Sequence, residues 1–497
     1  MIYSSTRNFV FHNFRPLQYL ASADISGRKK WGRRRMNDHR PVNDGAEEPG
    51  SIGARLRAEP STYAWVVLML LTLTNVLSFM DRYLVNILAQ PIKEDLGISD
   101  AQIGLLTGFA MSISYSVVGL PLARLSERHN RVAIITASVL AWSAMTALCG
   151  RATSFAQLML FRAGVGIGEA GATPASHSLI TDYFPAHRRG IAIAIFTVAI
   201  PIGALIGSMA GGWIIDNWGW RQAFVYLGLP GVIVAAIFAL FVREVPRGRL
   251  DPPSLHAERP RLAAVAAGLW TDRVARHTVI AYTLTVLVTT GASTFFAPFL
   301  ARKFAISYTM IGLVLSATFL GGGIVGNLVG GWLADRLGAR DRRWLLWVPA
   351  FGLAASIPFY IAAYLQPTVL GTAAVLLLPS ILTTFFTPPT YATLHSRTDP
   401  RARPTMVALV QLISSLLGGG LGPFFGGLTI DALSDFYFPG AFATDCLGIP
   451  ASDTLQCADA LLDGTTTMLL LSAPLLLWPA AHYWTAALSM KPKPAAK

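Results

Sequence analysis

The chain predicts an all-α membrane protein of twelve transmembrane helices in two pseudo-symmetric six-helix bundles. Composition is the first ground: 53% of the 497 residues are hydrophobic and 13% are charged, against roughly 25% charged in a soluble domain. Length is the second. Apolar windows of about 20 residues, enough helix to cross ~30 Å of hydrocarbon, fall at 63–89, 101–123, 132–150, 155–181, 190–214 and 222–241. Six more follow at 277–300, 308–333, 344–364, 368–394, 404–430 and 465–488. The third ground is how charge alternates between the loops that join these windows.

A net charge of +13 would suggest nucleic acid in a soluble protein, but the basic residues sort by loop. One side holds Arg124, Arg128 and Arg131, then Arg188 and Arg189, the stretch from Arg243 to Arg276, Arg336 to Arg343, and Arg397, Arg401 and Arg403. The other side holds Lys93, Arg151, Arg221, Arg302 and Lys303, and its longest loop, 431–463, has several Asp and no Lys or Arg. Positive residues mark the inside. Both termini are therefore expected in the cytoplasm of a multi-pass cell (inner) membrane protein, with membrane lipids as partners and no nucleic acid. The expected order is a disordered basic tail (1–62), an N-terminal bundle (63–241), a cytoplasmic linker (242–276), a C-terminal bundle (277–488) and a second tail (489–497).

Two spans carry charge. Asp81 and Arg82 interrupt the first window, and Arg162 and Glu169 the fourth. An ionisable side chain near a bilayer centre costs at least ~2.5–3.5 kcal/mol, so such residues are functional candidates. Arg162 and Glu169, seven residues apart, share a helix face within ~20° and lie roughly 10 Å apart along it. Asp81, Arg82 and Arg162 are expected at similar depth, Glu169 nearer the middle, and all four on a shared central cavity. Glu169 is the first choice for a proton carrier, because protonation there can switch its partner. Asp81 would hold an arginine or share the proton, and Arg82 and Arg162 would complete the charge network. The bland alternative is an ion network that only fixes helix packing.

Spans 7 and 10 contain no charged residue and offer Thr289, Thr290, Phe295, Phe296, Phe385, Phe386 and Tyr391. An ionic wall facing an apolar one suits an amphipath with a small anionic head near the arginines and a tail along the aromatics. Those aromatics also read as ordinary filler of membrane helices. Cys446 and Cys457 share the long acidic loop, where a disulfide between them or two unpaired thiols are both open. Gly166-x-Gly168-x-x-Gly171 and Gly321-x-Gly323-x-x-Gly326 match a dinucleotide fingerprint but lie inside apolar spans, where glycines read as helix contacts. His177, His277, His395 and His482 lack metal-ligand spacing, and satisfied or solvated rings are expected. No Ser, His and acid converge as a hydrolase needs, so an enzyme is not expected.

The halves repeat. Gly119-Leu-Pro-Leu-Ala-Arg124-Leu-Ser-Glu127-Arg128-His-Asn-Arg131 follows span 2, and Gly331-Trp-Leu-Ala-Asp335-Arg336-Leu-Gly-Ala-Arg340-Asp-Arg342-Arg343 follows span 8. These paired loops resemble the signature of the major facilitator superfamily, with Glu127 and Ala123 departing from its usual Asp and Gly. The resemblance implies the major facilitator fold and a cytoplasmic gate of Glu127, Arg128, Asp335 and Arg336. Glu127 would meet the start of span 11 near Arg403, and Asp335 the start of span 5 near Gly190.

Within the superfamily the chain is similar to the spinster-like group, through Met80-Asp81-Arg82-Tyr83, Arg162-Ala-Gly-Val-Gly166-Ile-Gly168-Glu169-Ala170-Gly171-Ala-Thr-Pro174, Asp182-Tyr-Phe-Pro185 and Trp218-Gly-Trp220-Arg221. That similarity implies a proton-coupled transporter of lysophospholipids or sphingosine-phosphate-like lipids working by alternating access. It would act as a monomer, with a proton gradient and no cofactor. The alternatives are an anion-cation symporter for a small organic acid such as a sugar acid, and a multidrug exporter. A membrane receptor would leave the twin gates and the buried charges without a purpose.

Overall fold

A computed structural model of the protein describes residues 59–250, 262–399, 402–447 and 455–490, the side chains of Leu120 and Phe319 excepted. The first 58 residues, part of the linker and the last seven lie outside the described residues, so the expectation of a disordered tail falls there. Ten stretches are long and apolar enough to cross a membrane. One of them, Ala186–Phe241, divides in two at Gly219, and the charged helix Phe155–Tyr183 completes twelve among the described residues.

The N-terminal bundle comprises α1 (Thr62–Leu96), α2 (100–128), α3 (Arg131–Cys149), α4 (Phe155–Tyr183), α5 (186–218) and α6 (220–241). Short polar side chains start these helices by accepting the orphan N–H groups of the first turn: Ser61 from Ala64, Ser99 from Gln102, Asn130 from Ala133 and Ser154 from Gln157. Gly219 turns α5 into α6 with φ 82° and ψ 170°, a conformation only glycine adopts without strain. This explains the Gly of the Trp218-Gly-Trp220-Arg221 motif. Arg221 then stacks on Trp220, 4.3 Å from its ring centre, and pairs with Asp95 at 2.6 Å.

After a short helix (Leu262–Thr271), the C-terminal bundle comprises α7 (Arg273–Phe304), α8 (Tyr308–Gly338), α9 (Trp344–Tyr364), α10 (Val369–Arg397), α11 (Arg403–Tyr437) and α12 (Leu455–Leu488). Asp272, Ser307 and Thr368 cap α7, α8 and α10. Cys446, in the loop after α11, and Cys457, in the first turn of α12, are joined by a disulfide, and Cys149 is buried in the first bundle. Large apolar side chains such as Leu160, Ile233 and Leu370 stand exposed on the outside, where a membrane protein meets lipid. Loops carrying the arginines lie at one end of the bundles, called here the basic face, and loops carrying the acids at the other.

Helices of both halves depart from regular winding, among them α2 and α5 of the first and their counterparts α8 and α11 of the second. Leu105–Phe109 of α2, Gly321–Gly326 of α8 and Ser414–Gly420 of α11 each contain wider, π-helical turns, and α5 breaks at Val198. Such turns free or shift backbone groups, which is tolerated at membrane depth where the helix faces protein or a cavity. In this protein all four face one cavity.

Candidate functional site

The charged residues of α1 and α4 meet as two ion pairs. Arg162 Nη1 donates to Asp81 Oδ2 at 2.7 Å, and Asp81 Oδ1 accepts from Thr146 Oγ1 of α3 at 2.8 Å. The next residue on α1, Arg82, donates to Glu169 Oε2, nearly two helical turns beyond Arg162 on α4, through Nε at 2.8 Å and Nη2 at 2.5 Å. Glycines make this closeness possible. A Cβ on Gly166 would lie 2.3 Å from Ser114 Oγ of α2, and one on Gly168 2.6 Å from the Trp142 backbone N of α3. The stretch resembling a dinucleotide fingerprint is thus a surface for helix packing.

A cavity of about 1170 Å³ lies between the bundles. It is lined by Phe79, Tyr115, Tyr282, Tyr360, Tyr364 and Asn327 among others, and among the described residues Arg82 is the one charged side chain in its wall. The expectation that all four charged residues face this cavity is corrected. No residue of α4 lines it, and Asp81, Arg162 and Glu169 are buried behind α1. Only the Arg82 side chain, 33% exposed, looks out, its guanidinium 5.2 Å from the ring centres of both Phe79 and Tyr115.

The aromatic wall is also partly corrected. Phe296 and Phe386 line the cavity with Thr289 and Thr290, but Phe295 and Phe385 do not. Phe295 is fully buried against Gly426, and Phe385 packs between α8 and α9 at Gly330 and Gly352. Tyr391 stands just outside the lining, its hydroxyl donating to Gln411 Oε1 at 3.2 Å. Phase decides the matter, because neighbours point roughly 100–120° apart in α- and 3-10-helical winding, and Phe385 and Phe386 lie in a 3-10 turn while Phe295 and Phe296 flank a break in α7.

The halves are fastened to each other at the acidic face by two matching contacts. Asp216, at the end of α5, accepts from the N–H groups of Tyr308 and Thr309 at 2.9 and 2.8 Å, at the start of α8. Asp431, at the end of α11, accepts from those of Asp100 and Ala101 at 2.9 and 2.8 Å, at the start of α2. Each is a carboxylate on a helix N-terminus, where orphan donors and the helix dipole both favour it. Around Asp431, Arg302 of α7 donates to Asp100 at 2.7 Å and Gln90 at 2.8 Å, and Lys93 pairs with Asp100.

At the basic face the expected gate is open between Asp335 and α5. Asp335 is exposed without a hydrogen bond to the start of α5 among the described residues, and nothing lies within 4 Å of where a Gly190 Cβ would be. Glu127, Arg128 and Arg336 are exposed as well, Arg336 lying over Trp332 of its own helix. The cavity accordingly extends toward this face, down to Leu328 and Pro388.

Sequence reasoning missed the acidic-face residues, although a signal was present. Ile98-Ser99-x-x-x-Ile103-Gly104 recurs as Ile306-Ser307-x-x-x-Ile311-Gly312, and Gly211-Gly212-x-x-Ile215-Asp216 as Gly426-Gly427-x-x-Ile430-Asp431. The glycines admit the partner helix: a Cβ on Gly212 would lie 2.2 Å from Tyr308 O, and one on Gly427 2.0 Å from Asp100 O. Also missed was Arg131, fully buried at the basic end, which pairs with Asp182 and donates through Nε to Glu244 at 2.7 Å. His277 and His482 approach to 2.9 Å between Nδ1 atoms, joining α7 to α12. No group of three metal-ligating side chains occurs among the described residues.

Two repeated six-helix halves around a central cavity, with a cluster of buried charge beside it, define a membrane transporter. The model of the Major Facilitator Superfamily matches residues 71–295 and 278–448, and the chain belongs to that superfamily, in its spinster-like group. A solved structure of a bacterial homolog of the human lysosomal transporter Spinster, inward-facing and unoccupied, matches with a TM-score of 0.78 and 31% identity. The match covers 86% of this chain and 98% of that one. An MFS-type efflux pump of Mycolicibacterium smegmatis is 33% identical over 376 residues, 75% of this chain and 86% of its own. A probable L-galactonate transporter of Escherichia coli is 26% identical over 279 residues, 54% of this chain and 61% of its own.

Proposed function

We propose that the protein is a proton-coupled secondary transporter, alternating access to a central site for an amphipathic substrate with a small anionic head, of the lysophospholipid or sphingosine-phosphate kind. The observation that carries this reading is the Arg82–Glu169 pair: a guanidinium in the cavity wall, held from behind by a carboxylate buried among helices. While Glu169 is ionised it occupies Arg82. Once protonated it releases much of that hold, and the guanidinium can take an anionic head instead. Loss of the proton restores the pair and expels the anion, so proton and substrate bias the same equilibrium between states. Asp81 keeps Arg162 neutralised and so keeps α1 and α4 in register. The basic face is taken as cytoplasmic, which makes the state described here inward-facing, with the cytoplasmic gate of Glu127, Arg128, Asp335 and Arg336 closing in the opposite state.

The tyrosine- and phenylalanine-lined wall favours a substrate with a tail over a compact sugar acid, which would need several polar partners for its hydroxyls. Export of apolar drugs is the second reading, favoured by the likeness to the efflux pump.

In proteoliposomes, a fluorescent lysophosphatidate should be moved by an imposed pH gradient in the native chain. Glu169→Gln should abolish gradient-driven movement and leave substrate exchange. Full gradient-driven activity in that variant removes Glu169 from the mechanism. Thermal stabilisation by hexuronates and by no lysolipid favours the organic-acid reading instead.

A further inference from the structure

We infer that Glu169 exchanges its proton through a small water-holding pocket of its own, closed off from the substrate cavity, so that proton and substrate reach opposite ends of the Arg82–Glu169 pair by separate routes. The inference rests on the reading of Glu169 as proton carrier given above.

Three observations support it. First, the two partners belong to different spaces. Arg82 lines the large cavity and not the pocket, Glu169 lines the pocket and not the cavity, and the two linings share no residue. Second, Glu169 is 1% exposed, its Oε2 is taken by Arg82, and its Oε1 is buried without a hydrogen-bond partner. A buried carboxylate oxygen in that condition calls for a donor. Third, the pocket, of about 10 Å³, has the size and polarity for one water molecule. Thr74, Asn75 and Ser78 of α1 and Thr173 and Ser176 of α4 surround it.

These polar groups retain unused acceptor capacity. Thr74 and Ser176 donate their hydroxyl protons to Leu70 O and Ala172 O of their own helices, and Asn75 Nδ2 donates to Phe196 O, fixing the amide so that its oxygen is the free end. A water here can donate one proton to Glu169 Oε1 and the other to one of these acceptors. When the acid releases its proton, the Oε1–H bond breaks, the water oxygen gains that proton, and one of the protons now on it is handed to bulk water at the basic face, leaving the carboxylate ionised and the pocket water unchanged.

Position sets the direction. Asn75 precedes Arg82 by seven residues on α1, and Ser176 follows Glu169 by seven on α4, so both lie roughly 10 Å toward the basic face. The charged groups facing Glu169 are Arg82 and Asp81 from α1 and Arg162 from its own helix, while α3 and α5 contribute the uncharged Trp142 and Phe196. His177, next to Ser176, packs edge-on against Phe196 at 5.2 Å and is the first titratable side chain beyond the pocket on α4.

The test is a pH jump on the purified full chain followed by infrared difference spectroscopy, with the Glu169 carboxyl band identified as the one absent from Glu169→Gln. Replacing the pocket's hydroxyls by methyl groups with Thr74→Val and Ser176→Val together should slow the appearance of that band by an order of magnitude or more. Ser176→Ala, which removes one hydroxyl at little cost to folding, should slow it less. Thr289→Val, a matched change in the wall of the large cavity, should leave the rate as it was. Wild-type rates in Ser176→Ala and the double variant, or slowing by Thr289→Val alone, overturn the separate route while leaving Glu169 as carrier. A native chain without any Glu169 band overturns the carrier reading and this inference with it.

Discussion

Asp81 and Glu169 are both carboxylates beside an arginine, yet their surroundings divide their work. Asp81 is fully engaged, by Arg162 on one oxygen and Thr146 on the other, whereas Glu169 has one oxygen bound and one bare. Removing Asp81 leaves the Arg162 guanidinium buried without its counter-charge, so Asp81→Ala should destabilise the protein by about 3–5 kcal/mol. A fall in the thermal midpoint of the purified variant, with Asp81→Asn intermediate, is the expected result, and an unchanged midpoint would deny Asp81 this structural part. The sequence showed these four residues because charge is conspicuous among apolar neighbours. It did not show which of them meets the cavity, because α4 reaches the pair through α1, and only packing sets that order.

Helix ends and helix irregularities carry the next level of information. Asp272 caps α7 through the N–H groups of Val274 and Ala275 at 2.8 and 3.1 Å and pairs with Arg397 of α10 at 2.7 Å. Burial works against its ionisation, but the Arg397 guanidinium and the two amides outweigh it and hold its carboxyl below the usual carboxylate range. A depressed value contributes stability above the unfolded pKa of about 3.9 and loses it as pH falls through the lower folded one. Protection of the amides at the start of α7 against hydrogen exchange, relative to their intrinsic rates, should therefore hold from neutral pH down to about 4 and fall below it. A fall already between neutral pH and 5 would assign the anchor to another group, roughly as a histidine does. The spans themselves were legible in the sequence. The wide turns of α2, α8 and α11 are not specified by those segments alone, since their winding depends on the neighbours that receive the displaced backbone.

In the whole molecule, the two bundles are held at the acidic face by Asp216 and Asp431 on opposite helix starts, a matched pair generated by the internal repeat. Each contact resembles a helix cap and should contribute about 0.5–2 kcal/mol. Asp216→Asn with Asp431→Asn should therefore shift the balance of states away from the present one by roughly tenfold or more, at 1.4 kcal/mol per factor of ten. Spin-label distances measured across the acidic face should lengthen in the double variant, and an unaltered distribution would show that these contacts do not set the balance. The sequence by itself determined the twelve spans, the twofold repeat, the basic face and the four central charges, because apolar length, loop charge and charged interruptions are local properties that no partner needs to supply. The tertiary structure alone decided that Arg82 faces the cavity while Glu169 backs onto a separate polar pocket, and that the acids closing this state lie at the far ends of α5 and α11. Those are relations between helices, fixed by side-chain phase and by how closely glycines let backbones approach, and no single segment contains them.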